Sequence, residues 1–130
     1  MTTQPDLSPR LIAFSARLIR LLDHLPNTKA AREIEGQMLR SGMGVGSNYN
    51  EARGADSRAD FCYKLQIALK EMRETHYWLS VVAKAELVAD ARYLAPLLDE
   101  ATQLRAILGK CVATARGKAR SDIAKSQPST

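Results

Sequence analysis

Five polar residues, Glu33, Arg40, Ser47, Asn48 and Glu51, fall on one flank of a single helical stretch and form the densest concentration of reactive groups in the chain. Carboxylate, guanidinium, hydroxyl and amide groups in line can bind a polar ligand. They can equally form a hydrogen-bonded seam that fixes the register of neighbouring helices or subunits, because charges in an interface need partners. We read Arg40, Ser47, Asn48 and Glu51 as such a seam, with Asn48 and Glu51 also in reach of the backbone around Arg53 and Gly54.

Inside the same stretch, Gly42, Gly44 and Gly46 spell GMGVG, superficially a glycine-rich nucleotide loop. Such loops follow a strand and open a helix, and no strand is credible here. In a helix interior each glycine costs roughly 1 kcal/mol relative to alanine, so close approach of another helix is the expected compensation. The histidines are no better placed for chemistry. His24 lies just before the helix-ending Pro26, and Glu74-Thr75-His76 lacks the Glu-x-x-His spacing of di-iron bundles. His76, at the edge of an apolar stripe, reads as a satisfied core histidine. Cys62 and Cys111 are too few for a disulfide framework and lack metal-ligand spacing, so buried thiols are predicted. No nucleophile, base and orienting carboxylate can be placed together. We therefore predict no catalytic, metal or cofactor site, and a protein that is not an enzyme.

The elements that must position these residues are helical. Ser8-Pro9 is a cap and first-turn pair, and Leu11, Ser15, Leu18, Leu22 and Leu25 recur at three- and four-residue steps to Pro26, a helix over about 8–25. Thr28 caps a second helix, about 28–52, whose core face holds Ala31, Ile34, Met38, Val45, Tyr49 and Ala52. Ser57 to Asp60 resembles a capping box and opens a third helix, about 57–87, striped by Phe61, Leu65, Ala68, Leu69, Met72, His76, Leu79 and Ala83. Asp90 caps a fourth, about 90–115, carrying Tyr93, Leu97, Leu104, Ile107, Leu108 and Cys111, with Pro96 expected to kink or loosen its first turns. Short connections between long helices predict an all-α, up-down-up-down antiparallel four-helix bundle over residues 1–115. One domain of 130 residues suffices to bury roughly two thirds of the unfolded surface.

Charge is unevenly spread. Lys110, Arg116, Lys118, Arg120 and Lys125 against Asp122 give residues 110–130 a charge of +4, most of the chain's total of +5. Residues 116–130 lack a core face and are expected to be a disordered basic tail, which can attract phosphate backbones without reading sequence or can simply solubilise the chain. A second set of apolar residues, Leu39, Met43, Tyr63, Ile67, Trp78 and Val81, points away from the core stripes and is predicted to form a contact with another subunit, centred on Trp78. No apolar run approaches a membrane span and MTTQPDLSPR lacks the features of a signal peptide, so a cytoplasmic protein without a membrane partner is expected.

Arg40-Ser41, Val45-Gly46-Ser47-Asn48, Glu51, Ser57, Asp60-Phe61, Lys64-Leu65, Ile67-Ala68 and the run KEMRETHYWL at 70–79 together resemble the bacterial 23S rRNA-intervening sequence protein family. The resemblance covers about residues 28–110, and it departs from the commonest family pattern where Asn48-Tyr49-Asn50-Glu51-Ala52 replaces Asn-Ile-Ala-Glu-Gly. It implies a four-helix bundle. Because related accessory proteins of diversity-generating retroelements form homopentamers with basic surfaces thought to bind nucleic acid, it also implies a homo-oligomer, most simply a pentamer, with RNA or DNA as partner. The function expected is thus a noncatalytic homo-oligomeric bundle binding nucleic acid nonspecifically through basic tails, the alternative being a protein-interaction scaffold with no nucleic-acid role.

Overall fold

A computed structural model describes residues 5–126, which form four helices: α1 (Ser8–Leu22), α2 (Lys29–Arg53), α3 (Arg58–Lys84) and α4 (Ala91–Ser126). Local chemistry explains most of their ends. The Thr28 hydroxyl accepts the Ala31 N–H at 3.2 Å and the Ser57 hydroxyl accepts the Asp60 N–H at 3.0 Å, satisfying donors that the first turns leave free. Asp90 accepts the Arg92 N–H at 2.9 Å and pairs with the Arg92 guanidinium, hydrogen bonds that hold its carboxyl down to about 2. At α1 the N-cap position falls on Leu7, which makes no side-chain cap bond, so the expected cap at Ser8 is displaced. Ser8 is already helical, and Asp6 accepts both its N–H at 2.9 Å and its hydroxyl at 2.7 Å.

The end of α3 is closed by hydrogen bonds from Leu87 N–H to Val82 O and from Glu86 N–H to Ala83 O, with Glu86 in the left-handed region at φ 54°. This is a Schellman turn with glutamate in the position that glycine usually fills.

Residue pairs across adjacent helices run in opposite order. On α1 and α2, Leu7 meets Tyr49 and Leu18 meets Gly42; on α2 and α3, Arg40 meets Glu74 and Glu51 meets Lys64. On α3 and α4, His76 meets Thr102 and Arg58 meets Asp122; on α1 and α4, Arg10 meets Glu100 and His24 stacks on Tyr93. The helices pack α1 to α2 to α3 to α4 and back to α1, giving the up-down-up-down bundle. Its centre is filled by Leu11, Phe14 and Leu18 of α1, Met38 and Val45 of α2, Leu65, Met72 and Leu79 of α3, and Leu97, Leu104 and Leu108 of α4. These positions recur at steps of three, four or seven residues, the spacing that keeps one helix face toward a common axis.

Pro96 lies within α4 at an exposed position near the helix start, where water can satisfy the carbonyl left without a donor. One expectation changes: α4 does not stop near residue 115. Ala115 is buried, Arg116 donates to Gln66 Oε1 at 2.8 Å, and Arg58 pairs with Asp122 at 3.3 Å, so the first turns of α3 supply a surface along which the expected tail continues as helix. Residues 127–130 of that stretch lie outside the described residues.

Candidate functional site

Along α2 and α3 the polar flank is closed by pairing. Arg40 reaches Glu71 at 3.4 Å and also Glu74, while Lys64 reaches Glu51 at 2.9 Å. Ser47 and Asn48 instead bond back to their own helix at Gly44 O, at 3.4 and 2.8 Å. Neither Asn48 nor the Glu51 carboxylate turns to the backbone beyond Arg53, because the Gly54 N–H is taken by the carbonyls of Asn50 and Glu51. Beneath the seam lies a contact missed in the sequence: Thr75 Oγ1 donates to Ser41 Oγ at 2.8 Å, both residues fully buried. The backbone carbonyls of Glu71, 2.8 Å from Thr75 Oγ1, and Met38, 3.5 Å from Ser41 Oγ, complete the contact, and the hydroxyls have no base beside them. Among the described residues no group of three or more His, Cys, Asp or Glu could hold a metal ion.

Glycine placement follows the packing. A Cβ on Gly42 would fall on Leu18 Cδ2, so this position sets the closeness of α1 and α2. One on Gly44 would crowd the Glu71 carboxylate, 2.9 Å away, whereas one on Gly46 would meet only Leu11 Cβ at an ordinary 3.9 Å.

The groove between α1 and α2 is apolar. It is lined by Leu11, Ile12, Ala16, Ile19 and Met43, has a volume of about 430 Å³, and leaves Ile12 and Ile19 70% and 47% exposed. Leu39, 42% exposed, lies one turn before Met43 on α2. The six residues expected to make one subunit contact therefore separate. Leu39 and Met43 belong to this side, whereas Tyr63 and Ile67 line a cleft between α3 and α4. Val81 is half-buried, and Trp78 packs against the core with its indole N–H shielded and unbonded among the described residues. Trp78 is thus half-buried against the core and not the centre of an exposed patch; Ile12 and Ile19, set between the core positions of α1, are among the exposed apolar groups that sequence reading overlooked.

On the opposite face, α3 and α4 enclose two adjoining clefts of about 340 and 380 Å³ that share Leu69 and Arg73. Lys70, Arg73 and Arg116 line the first; Arg73, His76, Thr102 and Arg105 line the second, and no carboxylate lines either. Among the described residues Lys70, Arg73 and Arg105 have no ion-pair partner. His76 Nε2 lies 3.1 Å from Thr102 Oγ1, whose own proton goes to Leu98 O at 3.0 Å, so the imidazole donates in this pair. Burial, and then the charge of Arg105, push the His76 pKa below its ordinary value. Tyr63, 59% exposed, stands at the mouth of the first cleft.

Of the five basic residues singled out in the sequence, Arg116 enters this cleft, and Arg120 follows one turn later on the same flank. Lys110, Lys118 and Lys125 are exposed at other angles around α4. Lys70, Arg73 and Arg105 had not been singled out, because only the relative rotation of two helices brings them together.

No helix among the described residues is long and apolar enough to cross a membrane. No curated protein matches the chain. A crystal structure of a protein of unknown function from the S23 ribosomal protein family of Bacteroides thetaiotaomicron VPI-5482 is similar at 33% identity and a TM-score of 0.73, covering 82% of this chain and 98% of that one. Residues 9–110 match the profile of the 23S rRNA-intervening sequence proteins, a span taking in all of α2 and α3 and most of α1. With its helix order, seam and core in place, the chain belongs to the 23S rRNA-intervening sequence protein family.

Proposed function

We propose that the protein is a noncatalytic, self-associating bundle that binds the phosphate backbone of RNA or DNA along its α3–α4 face. The observation that carries this reading is the row Lys70, Arg73, Arg105 and Arg116 in clefts without a carboxylate. Elsewhere some arginines are neutralised at close range, as Arg40 is by Glu71 and Glu74 and Arg10 by Glu100, while Arg17 and Arg20 on α1 have no ion-pair partner among the described residues and line neither cleft. Cations that compact folding leaves unpaired in a concave surface favour an anionic ligand, and the interaction gains affinity by releasing counterions from nucleic acid. The exposed basic residues Lys110, Arg120 and Lys125 add to the same attraction from the end of α4. Self-association is assigned to the apolar α1–α2 groove, with Leu39 and Met43 beside Ile12 and Ile19; a ring of five copies is the stoichiometry that family resemblance implies.

The test is fluorescence anisotropy with labelled single-stranded RNA and duplex DNA over about 50 to 200 mM salt, where a backbone binder loses affinity steeply. Replacing Arg73 and Arg105 together by Gln should weaken binding to all sequences alike and reduce the log–log salt slope by about two. Binding unchanged by that double substitution would remove the α3–α4 face from the proposal. A scaffold for another protein is the second reading, favoured by the exposure of Ile12 and Ile19; it predicts a monomer in solution and recovery of one stoichiometric protein after nuclease treatment.

A further inference from the structure

Within the α3–α4 face one cleft is chemically distinct. Arg73 and His76 project from α3, Thr102 and Arg105 from α4, and Leu69, Ala106 and Gly109 complete the wall. Gly109 has open space where a side chain would stand, so the cleft is not filled from that side. Two guanidiniums, an imidazole and a hydroxyl thus border one cleft, and bidentate guanidinium geometry suits a tetrahedral phosphate. We propose that Arg73, His76, Thr102 and Arg105 hold a single phosphodiester group, and that filling this pocket is coupled to protonation of His76. The proposal rests on the nucleic-acid reading above and adds to it a defined phosphate position and a pH response.

The argument is electrostatic and geometric. His76 Nε2 faces Thr102 Oγ1, whose proton goes to Leu98 O, and the second ring nitrogen has no hydrogen-bond partner among the described residues. A proton there would join the charges of Arg73 on the same helix and Arg105 on the facing one, with no lining carboxylate to offset them. Asp99, one turn before Thr102, is hydrogen-bonded by Gln103 at 2.8 Å and does not line the cleft; Glu74, on the far flank of α3, is paired with Arg40. A phosphate supplies the missing negative charge. It reverses the penalty on the imidazolium and accepts the new N–H, so phosphate and proton bind cooperatively by linkage. Affinity should therefore rise as pH falls through the His76 pKa of the occupied state and level off below the pKa of the free state.

The chain contains only two histidines, which makes the experiment direct. The ring resonances of His76 and His24 are followed by NMR across pH with and without a short oligothymidylate, and with inorganic phosphate at matched phosphate concentration. We expect the oligonucleotide to raise the His76 pKa by about one unit, equivalent to a tenfold change in affinity between the two plateaus, while the resonances of His24, stacked on Tyr93 in the first turn of α4, serve as the reference outside the pocket. His76→Gln should still bind at high pH and lose the pH dependence; because the main readout uses the unmodified protein, a folding defect in that variant would not decide the matter. Oligonucleotide binding with an unmoved His76 titration overturns this pocket and leaves the basic face standing. No binding at any pH overturns both readings. An equal response to inorganic phosphate keeps the phosphate pocket and overturns its place in a nucleic-acid track.

Discussion

Thr75 Oγ1 donates to Ser41 Oγ across 2.8 Å at the centre of the α2–α3 contact, where neither residue is exposed to solvent. Thr75 also lies within 2.8 Å of Glu71 O, and Ser41 makes only a long 3.5 Å contact with Met38 O, so the two hydroxyls are each other's principal cross-helix partners. Removing one should cost more than removing both, because a lone buried polar group keeps its desolvation penalty. Thr75→Val alone should destabilise by about 1 to 2 kcal/mol, and the double variant Ser41→Ala with Thr75→Val by less than the sum of the single changes. Urea unfolding of the four proteins in this cycle measures the coupling; strict additivity would mean the bond contributes no specific stability.

Glycine should prove costly at one position of α2 and necessary at another. Gly46→Ala meets only ordinary contact with Leu11 and should stabilise by up to about 1 kcal/mol through helix propensity. Gly42→Ala pushes into Leu18, a core residue without free space, and should destabilise by about 1 to 3 kcal/mol despite the same propensity gain. Thermal unfolding of both variants gives the comparison, and opposite signs are the expected result.

Glu86 sits at φ 54° at the close of α3, with an exposed side chain. Glycine adopts that conformation without the Cβ penalty, although it raises the entropy of the unfolded chain. Glu86→Gly should accordingly stabilise by about 0.5 to 1 kcal/mol, and Glu86→Val should destabilise by at least as much. Denaturant midpoints with unchanged slope would confirm that only the turn has been altered.

How much of this was legible in the sequence depended on how far apart the cooperating residues lie. Thr28, Ser57 and Asp90 act within three residues of themselves, and their roles at the helix starts could be read from local spacing. The core stripes were likewise visible, although Phe14, Leu21 and Val82 belong to the core and were not picked out, since an apolar band wider than one row blurs the choice between adjacent positions. Trp78 and the Lys70–Arg73–Arg105 row were not legible for a different reason. Whether an off-stripe residue is buried, exposed or brought beside a residue on another helix depends on the rotation of two helices about their own axes, which one sequence does not specify. The stretch from residue 116 onward was read as a tail because its own apolar pattern fades; its order comes from Gln66 and Arg58 on another helix.

The sequential ring of helices puts the α1–α2 groove and the α3–α4 clefts on opposite sides of the bundle. Where a copy seated in the first keeps its own α3–α4 face outward, assembly multiplies phosphate sites. Affinity for a long strand would then be governed by valency: weak individual sites, held at high effective concentration along one polymer, give an avidity that a short oligonucleotide never samples. Chain length of the nucleic acid, more than its sequence, would be the variable such an array measures.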